Sequence, residues 1–378
     1  QICYLTFTNM FGVKLCVLFC LFLCPLAYVL RNDDEGELLL VSVIFRHGAR
    51  TTYSFYPNDP YKNETFYPFG KGHLTNEGKL GEYKLGRYLK SLYGEFLGED
   101  YTEGKVYVRS TDVTRTKMSA QLVLAGLFPP SQSLVWNENL LWLPIPVSYK
   151  PDSEEDLFHP LSNCPYKIKV LSELSTIPKV QEIFIEPFQE IYEYIETNSG
   201  KSMKQPSDMQ DIFFILKCEA DMNYTLPDWT QEVYPAKVET AASYVYAYHN
   251  YDSVVKQINS GYLLKKILDD SDAKISNAAS ERKIYLYSGH ESTVGYMLDA
   301  LGVQNKTVIP AYGSAISFEL RKLGDEYYIR MRYRSDPEAT TSEDLNIPGC
   351  AVMCPVDSFK SILSNILPSK TIQEACKV

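Results

Sequence analysis

Two arginines flank a histidine in Arg46-His47-Gly48-Ala49-Arg50, at the end of the apolar run Leu38 to Phe45. Guanidinium forks match the oxygens of a phosphate two at a time. A histidine held between them could attack the phosphorus. A phosphate dianion repels a nucleophile unless its charge is offset, and fixed guanidiniums do this in both the ground and the transition state. Two further segments carry groups of the same kind. Arg109 follows the short apolar stretch Val106-Tyr107-Val108, and His290 and Glu291 follow Ile284-Tyr285-Leu286-Tyr287-Ser288-Gly289. Together these residue types would gather positive charge suited to a phosphate-like anion around a histidine that could attack it.

Such groups need a common scaffold. The run Leu38 to Phe45 is continuous rather than alternating, which predicts a strand buried on both faces. Val106 to Val108 and Ile284 to Tyr287 read as two more strands. Each of the three passes through a polar loop into helical periodicity. Thr75 can cap a helix carrying Leu80, Leu85, Leu89 and Leu92, and helical spacing resumes at Thr116 to Leu127 and Val294 to Leu301. In open α/β sheets ligands bind at the carboxyl ends of the strands. One parallel set would therefore bring the three junctions to one edge. The fold class predicted is α/β, a mixed and mainly parallel central sheet flanked by helices. Residues 151–279 differ in texture, with helical stretches at Ile183–Ile195, Ser207–Met222 and Thr240–Lys266, and read as a smaller, mostly helical insertion. Residues 31–150 and 280–378 form the core, which ends with a hairpin of Ala315–Leu320 and Tyr327–Arg334 around Leu323-Gly324-Asp325-Glu326.

Lys14 precedes the apolar stretch Leu15 to Cys24, which predicts a secretory signal peptide over residues 1–30 with its start at Met10. An uncleaved anchor is the alternative reading. The 378 residues carry 37 Lys+Arg against 47 Asp+Glu, a net charge of −10. That argues against nucleic acid or an anionic membrane as the main partner. Outside the leader five cysteines remain, Cys164, Cys218, Cys350, Cys354 and Cys376, which in a secreted chain are disulfide candidates with one left over. Asn63, Asn223 and Asn305 each open a glycosylation sequon. No second cysteine or histidine pair stands at zinc-ligand spacing.

The three motifs resemble the histidine acid phosphatase family, branch 2 of the histidine phosphatase superfamily, with a phosphoglycerate mutase-like fold. They are Arg46-His47-Gly48-Ala49-Arg50, Val108-Arg109-Ser110-Thr111-Asp112-Val113-Thr114-Arg115-Thr116 and Tyr287-Ser288-Gly289-His290-Glu291. The Gly-His-Glu form and the leader look most like insect secreted or venom-type acid phosphatases. The resemblance implies a phosphohistidine on His47, phosphate held by Arg46, Arg50, Arg109 and His290, and Glu291 as proton donor. It also implies disulfides Cys164–Cys376 and Cys350–Cys354 with Cys218 unpaired, a chain that works with no cofactor or metal, and compatibility with a homodimer. The expected partner is a small phosphate monoester, the expected location extracellular with a lysosomal alternative, and no membrane is involved after signal cleavage.

Two positions depart from the family pattern. Thr52 stands where a proline is usual, and Glu291 where many members have Asp. Arg115 is expected to support its loop rather than touch substrate, and His73, His159 and His249 are expected on the surface or in packing. The aromatic loop 53–69 reads as packing that could in part wall a pocket. The second functional reading is a secreted protein of this fold that has lost catalysis and binds a small ligand. Retention of His47, the arginines, His290 and an acid at Glu291 favours the enzyme. The absence of a lysine cluster in the polar loops points to small or aryl monoesters rather than a highly phosphorylated inositol.

Overall fold

The computed structural model describes residues 35–158, 164–278, 281–304 and 307–378. The leader, His159 and Asn305 lie outside them. β1 (Glu37–Arg46) is followed by α1 (Asn76–Leu97), β2 (Val106–Ser110) and α2 (Thr114–Leu127). A helical stretch comes next, with α3 (Pro165–Leu174), α4 (Pro178–Phe184), α5 (Gln189–Ser199), α6 (Pro206–Asp221), α7 (Ala236–Ser243), α8 (Val245–His249), α9 (Ser253–Lys256) and α10 (Tyr262–Ile275). The chain then returns through β3 (Ile284–Gly289), α11 (Glu291–Leu301), β4 (Ala315–Leu323), β5 (Glu326–Arg334), β6 (Glu343–Leu345), β7 (Cys354–Pro355), α12 (Val356–Ile362) and α13 (Ile372–Ala375).

The sheet is mixed, with strand order β2-β3-β1-β4-β5-β6 and β7 paired to β5. β2, β3 and β1 run parallel, and β4 to β7 extend the sheet by antiparallel pairing. Helices cover both faces. Val41, Val43 and Phe45 of β1 pack with Leu85 and Leu89 of α1 and Val123 of α2. Leu40 and Ile44 pack on the other side with Leu264 and Leu268 of α10 and Met297 and Leu298 of α11. This two-sided burial is why β1 reads as an unbroken apolar run. α10 lies against the sheet, so the layer of helices over it begins before residue 280.

Local chemistry sets the boundaries. Thr75 Oγ accepts from the Gly78 amide at 3.2 Å and starts α1. Leu85, Leu89, Tyr93 and Leu97 then bury one stripe at intervals of four. Truncating Leu89 there would cost about 2–5 kcal/mol. Two helices expected as continuous are broken. Ile183–Ile195 splits around Pro187, which lacks an amide hydrogen and crowds the preceding turn. Thr240–Lys266 breaks at Tyr244 and again after His249, and Asp252 restarts the chain as a cap, its Oδ1 accepting from the Val255 amide at 2.9 Å. The hairpin forms as β4 and β5, with Leu323 opposite Glu326. Disulfides join Cys164 to Cys376 and Cys350 to Cys354, while Cys218 is buried and unpaired.

Candidate active site

The register of the parallel strands aligns their carboxyl ends. Phe45 pairs with Ser288, Arg46 with Gly289, and Ser110 with Ser288. Beyond the ladder the His47 amide donates to the Gly289 carbonyl at 3.0 Å, and the Thr111 amide to the Ser288 carbonyl at 3.2 Å. The three junctions thus meet at one edge. Glycine is required at two places there, because the His47 loop packs backbone to backbone on the start of α1. A Cβ at Gly48 would lie 2.3 Å from the Gly78 carbonyl oxygen, and one at Gly78 would lie 2.0 Å from that of Ala49.

His47 is buried, and its Nδ1 lies 2.9 Å from the Gly48 carbonyl oxygen. A carbonyl only accepts, so Nδ1 carries the proton and Nε2 keeps its lone pair. Burial holds this imidazole well below the usual histidine range, reinforced by the charges of Arg115, Arg46 and Arg50. A neutral imidazole with its lone pair on Nε2 has the chemistry of a nucleophile.

Arg46 and Arg50 surround it. Arg46 Nη1 donates to the Pro310 carbonyl at 2.5 Å, and its guanidinium carbon sits 3.9 Å above the Tyr312 ring. Arg50 Nη1 donates to the Thr51 carbonyl at 2.9 Å, and its guanidinium carbon is 4.9 Å from the Tyr53 ring. Nε and Nη2 of Arg46 and Nε of Arg50 are buried with no hydrogen-bond partner among the described residues. Buried guanidinium nitrogens at a strand end have the chemistry to donate to an anion.

Arg109 corrects the sequence expectation. It lies within β2, one residue before the strand's end, on the same face as Tyr107. Its Nη2 donates to both carboxylate oxygens of Glu155 at 3.0 and 3.2 Å, and Asp156 is 3.4 Å away. The pair is buried and its charge is consumed internally. The arginine that enters the site is Arg115, in the first turn of α2. Its Nη2 is 3.3 Å from His290 Nδ1, its Nε is buried without a partner among the described residues, and its charge is the largest electrostatic influence on His47. Burial, then Arg50, pushes the Arg115 guanidinium down to about 10, so it remains charged in acid.

His290 caps α11 and stands beside His47 with ring centroids 5.6 Å apart. Since Arg115 can only donate to Nδ1, the proton belongs on Nε2, which reaches Thr111 Oγ at 3.0 Å. Thr111 in turn contacts Thr116 Oγ at 2.7 Å. Glu291 is the first residue of α11, partly exposed, and its charge acts on both Arg50 and Arg115.

Residues 37–334 match the description "Histidine phosphatase superfamily (branch 2)". The chain belongs to this superfamily. It is 36% identical over 340 residues to the venom acid phosphatase of Apis mellifera, covering 89% of this chain and 87% of that protein. The prostatic acid phosphatase of Rattus norvegicus is 34% identical over 357 residues, covering 92% and 91%. The lysosomal acid phosphatase of Xenopus laevis is 33% identical over 348 residues, covering 91% and 80%. A solved structure of Klebsiella sp ASR1 phytase superposes with a TM-score of 0.66 at 16% identity, covering 89% of this chain and 99% of that one, a likeness of fold.

In this branch 2 histidine phosphatase the site wall is aromatic. Phe214 of α6 lies 5.1 Å from the Arg46 guanidinium carbon and 5.9 Å from that of Arg50, and Tyr53 is exposed at the rim. The rest of the loop after Arg50 packs largely on itself and on α6 and its neighbours, with Phe55 stacked on Phe66 and Tyr61 tilted against Tyr224. His249 is half-buried, in packing between Ser207 and Tyr296. Among the described residues, no group of three or more His, Cys, Asp or Glu is placed to hold a metal ion, and no helix is long and apolar enough to cross a membrane. Asn63 and Asn223 are exposed.

Proposed function

We propose that the chain is a secreted acid phosphatase that hydrolyses small phosphate monoesters through a phosphohistidine on His47. The observation that carries this is His47 itself. Its Nδ1 is engaged by Gly48, which leaves Nε2 as a lone pair among three arginines whose guanidiniums have unpaired nitrogens. In the first step Nε2 attacks phosphorus, the ester P–O bond breaks, and Glu291 delivers its proton to the leaving alcohol. Arg46, Arg50 and Arg115 hold the non-bridging oxygens and His290 supports them. In the second step Glu291, now a carboxylate, takes a proton from water as it attacks the phosphohistidine. The named venom, prostatic and lysosomal relatives support the acid phosphatase reading and an extracellular or lysosomal setting. The aromatic rim of Tyr53 and Phe214 favours aryl leaving groups. The test is to quench turnover of p-nitrophenyl phosphate under alkaline conditions and map the phosphopeptide. Phosphate on His47 Nε2, absent in His47→Ala together with turnover, is the expected result. A phosphoenzyme on another residue would overturn the reading.

A further inference from the structure

Arg46 ends β1 and Arg50 lies four residues on, yet both rest on one small surface. Tyr312 stacks under Arg46 at 3.9 Å. Its hydroxyl lies 3.6 Å from Cys218 Sγ, and the same sulfur accepts from Arg50 Nη1 at 3.5 Å. Phe214, one turn before Cys218 on α6, faces both guanidiniums. Tyr312, Cys218 and Phe214 are all buried.

The contrast with Arg109 gives this surface its meaning. A carboxylate grips a guanidinium more strongly than a thiol or an aromatic face does. It also cancels the charge, as Glu155 does for Arg109. A sulfur is a weak acceptor and a ring face presents only a quadrupole, so both orient an arginine while leaving its charge for an incoming anion. Burial pushes the Tyr312 phenol upward, which keeps it neutral.

We propose that Tyr312 and Cys218 are positioning residues for phosphoryl transfer. They form one uncharged seat that fixes the spacing of Arg46 and Arg50 and preserves their charge for substrate. This rests on the reading that those two arginines hold phosphate.

The test measures inhibition of p-nitrophenyl phosphate turnover by inorganic phosphate, together with thermal melting, on the full chain. Cys218→Ala should weaken phosphate about two- to tenfold, the scale of one neutral hydrogen bond. Cys218→Ser, which accepts but does not ionise, should restore most of that loss. Cys218→Asp should cancel the Arg50 charge and weaken phosphate by about tenfold or more. Tyr312→Phe keeps the ring and loses only the contact to sulfur, so its effect should be smaller than that of Cys218→Ala. In an Arg50→Ala background Cys218→Ala should add nothing.

Independent, multiplying effects of Arg50→Ala and Cys218→Ala would overturn the proposal. So would failure of serine to rescue, which would make the sulfur a thiolate partner, or wild-type phosphate affinity in Cys218→Asp. If Cys218→Asp does not fold, the alanine–serine contrast and the Arg50 cycle decide. If Arg50→Ala itself leaves phosphate affinity intact, it is the phosphate-site reading that fails.

Discussion

Arg109 donates through one nitrogen to both carboxylate oxygens of Glu155, and both side chains are buried. Breaking such a pair from one side strands a buried charge, at a cost of about 3–5 kcal/mol. Arg109→Ala should therefore lower the denaturant midpoint substantially while the folded enzyme keeps its phosphate affinity. Arg115→Ala should do the reverse, retaining stability and losing phosphate affinity by about tenfold or more. Urea unfolding and phosphate inhibition measured side by side check this. A stable Arg109→Ala enzyme that no longer binds phosphate would restore Arg109 to the site.

The same contrast marks what the sequence made legible. The apolar run before Arg46, the strand before Arg109 and the strand before His290 predicted three parallel strands ending at one edge, and β1, β2 and β3 meet there. A place near a strand's end does not by itself put a side chain in the site. Arg109 is still inside the ladder, so its side chain follows the sheet face rather than the edge. A usable signal for Arg115 existed. A cation in a helix's first turn opposes the macrodipole, and α2 has Arg115 there with no acid beside it. A helix N-terminus and an arginine aimed at one place together suit an anion. By contrast nothing in the spacing of Tyr312, Phe214 and Cys218 connects them to Arg46 and Arg50.

His47 yields a pH prediction with a definite sign. Burial and the surrounding positive charges depress its pKa in the folded chain, while the unfolded imidazole protonates near 6.5. Between those values the unfolded chain binds more protons, so this contribution to stability is present above about 6.5 and is lost as pH falls. His47→Asn should flatten the acid side of the stability curve by up to one proton, about 1.4 kcal/mol per pH unit. In wild type the acid limb of kcat/KM should fall well below the ordinary histidine range. Identical acid slopes in variant and wild type would mean that His47 titrates normally.

Asp59 and Glu219 make the opposite prediction. Both are buried, and Asp59 Oδ2 and both Glu219 oxygens have no donor among the described residues. Asp59 Oδ1 accepts from the Tyr61 amide at 2.7 Å, with Tyr56, Lys62 and Tyr224 nearby. Burial and the facing carboxylate push Glu219 up to about 9, so the pair shares a proton. Here the folded chain binds more protons, and stability should be lost as pH rises from about 4.5 toward about 9. Glu219→Gln keeps a donor without a titration and should remove that slope. Urea midpoints from acid to mildly alkaline pH measure it, and an unchanged slope in the variant would show that the proton is not shared.

In the proposed mechanism Glu291 acts in both steps, and it stands where many members of the family have Asp. It opens α11 directly after His290, and its charge acts on Arg50 and Arg115, so it borders the phosphate seat without belonging to it. Glu291→Gln should therefore keep phosphate affinity while losing turnover. An alkyl alcohol leaves poorly unless protonated, whereas p-nitrophenolate leaves readily. The loss should approach the about 10²–10⁴-fold usual for a general acid on alkyl esters and be clearly smaller for aryl ones, provided dephosphorylation is not limiting. Single-turnover phosphorylation of His47 separates the two steps. Glu291→Asp draws the carboxyl back by one methylene, and a site built around Glu should be slowed by it rather than rescued. Equal loss on alkyl and aryl esters in the first step would remove Glu291 as the donor. A gain with Asp would show instead that the longer side chain misplaces its acid against the arginines.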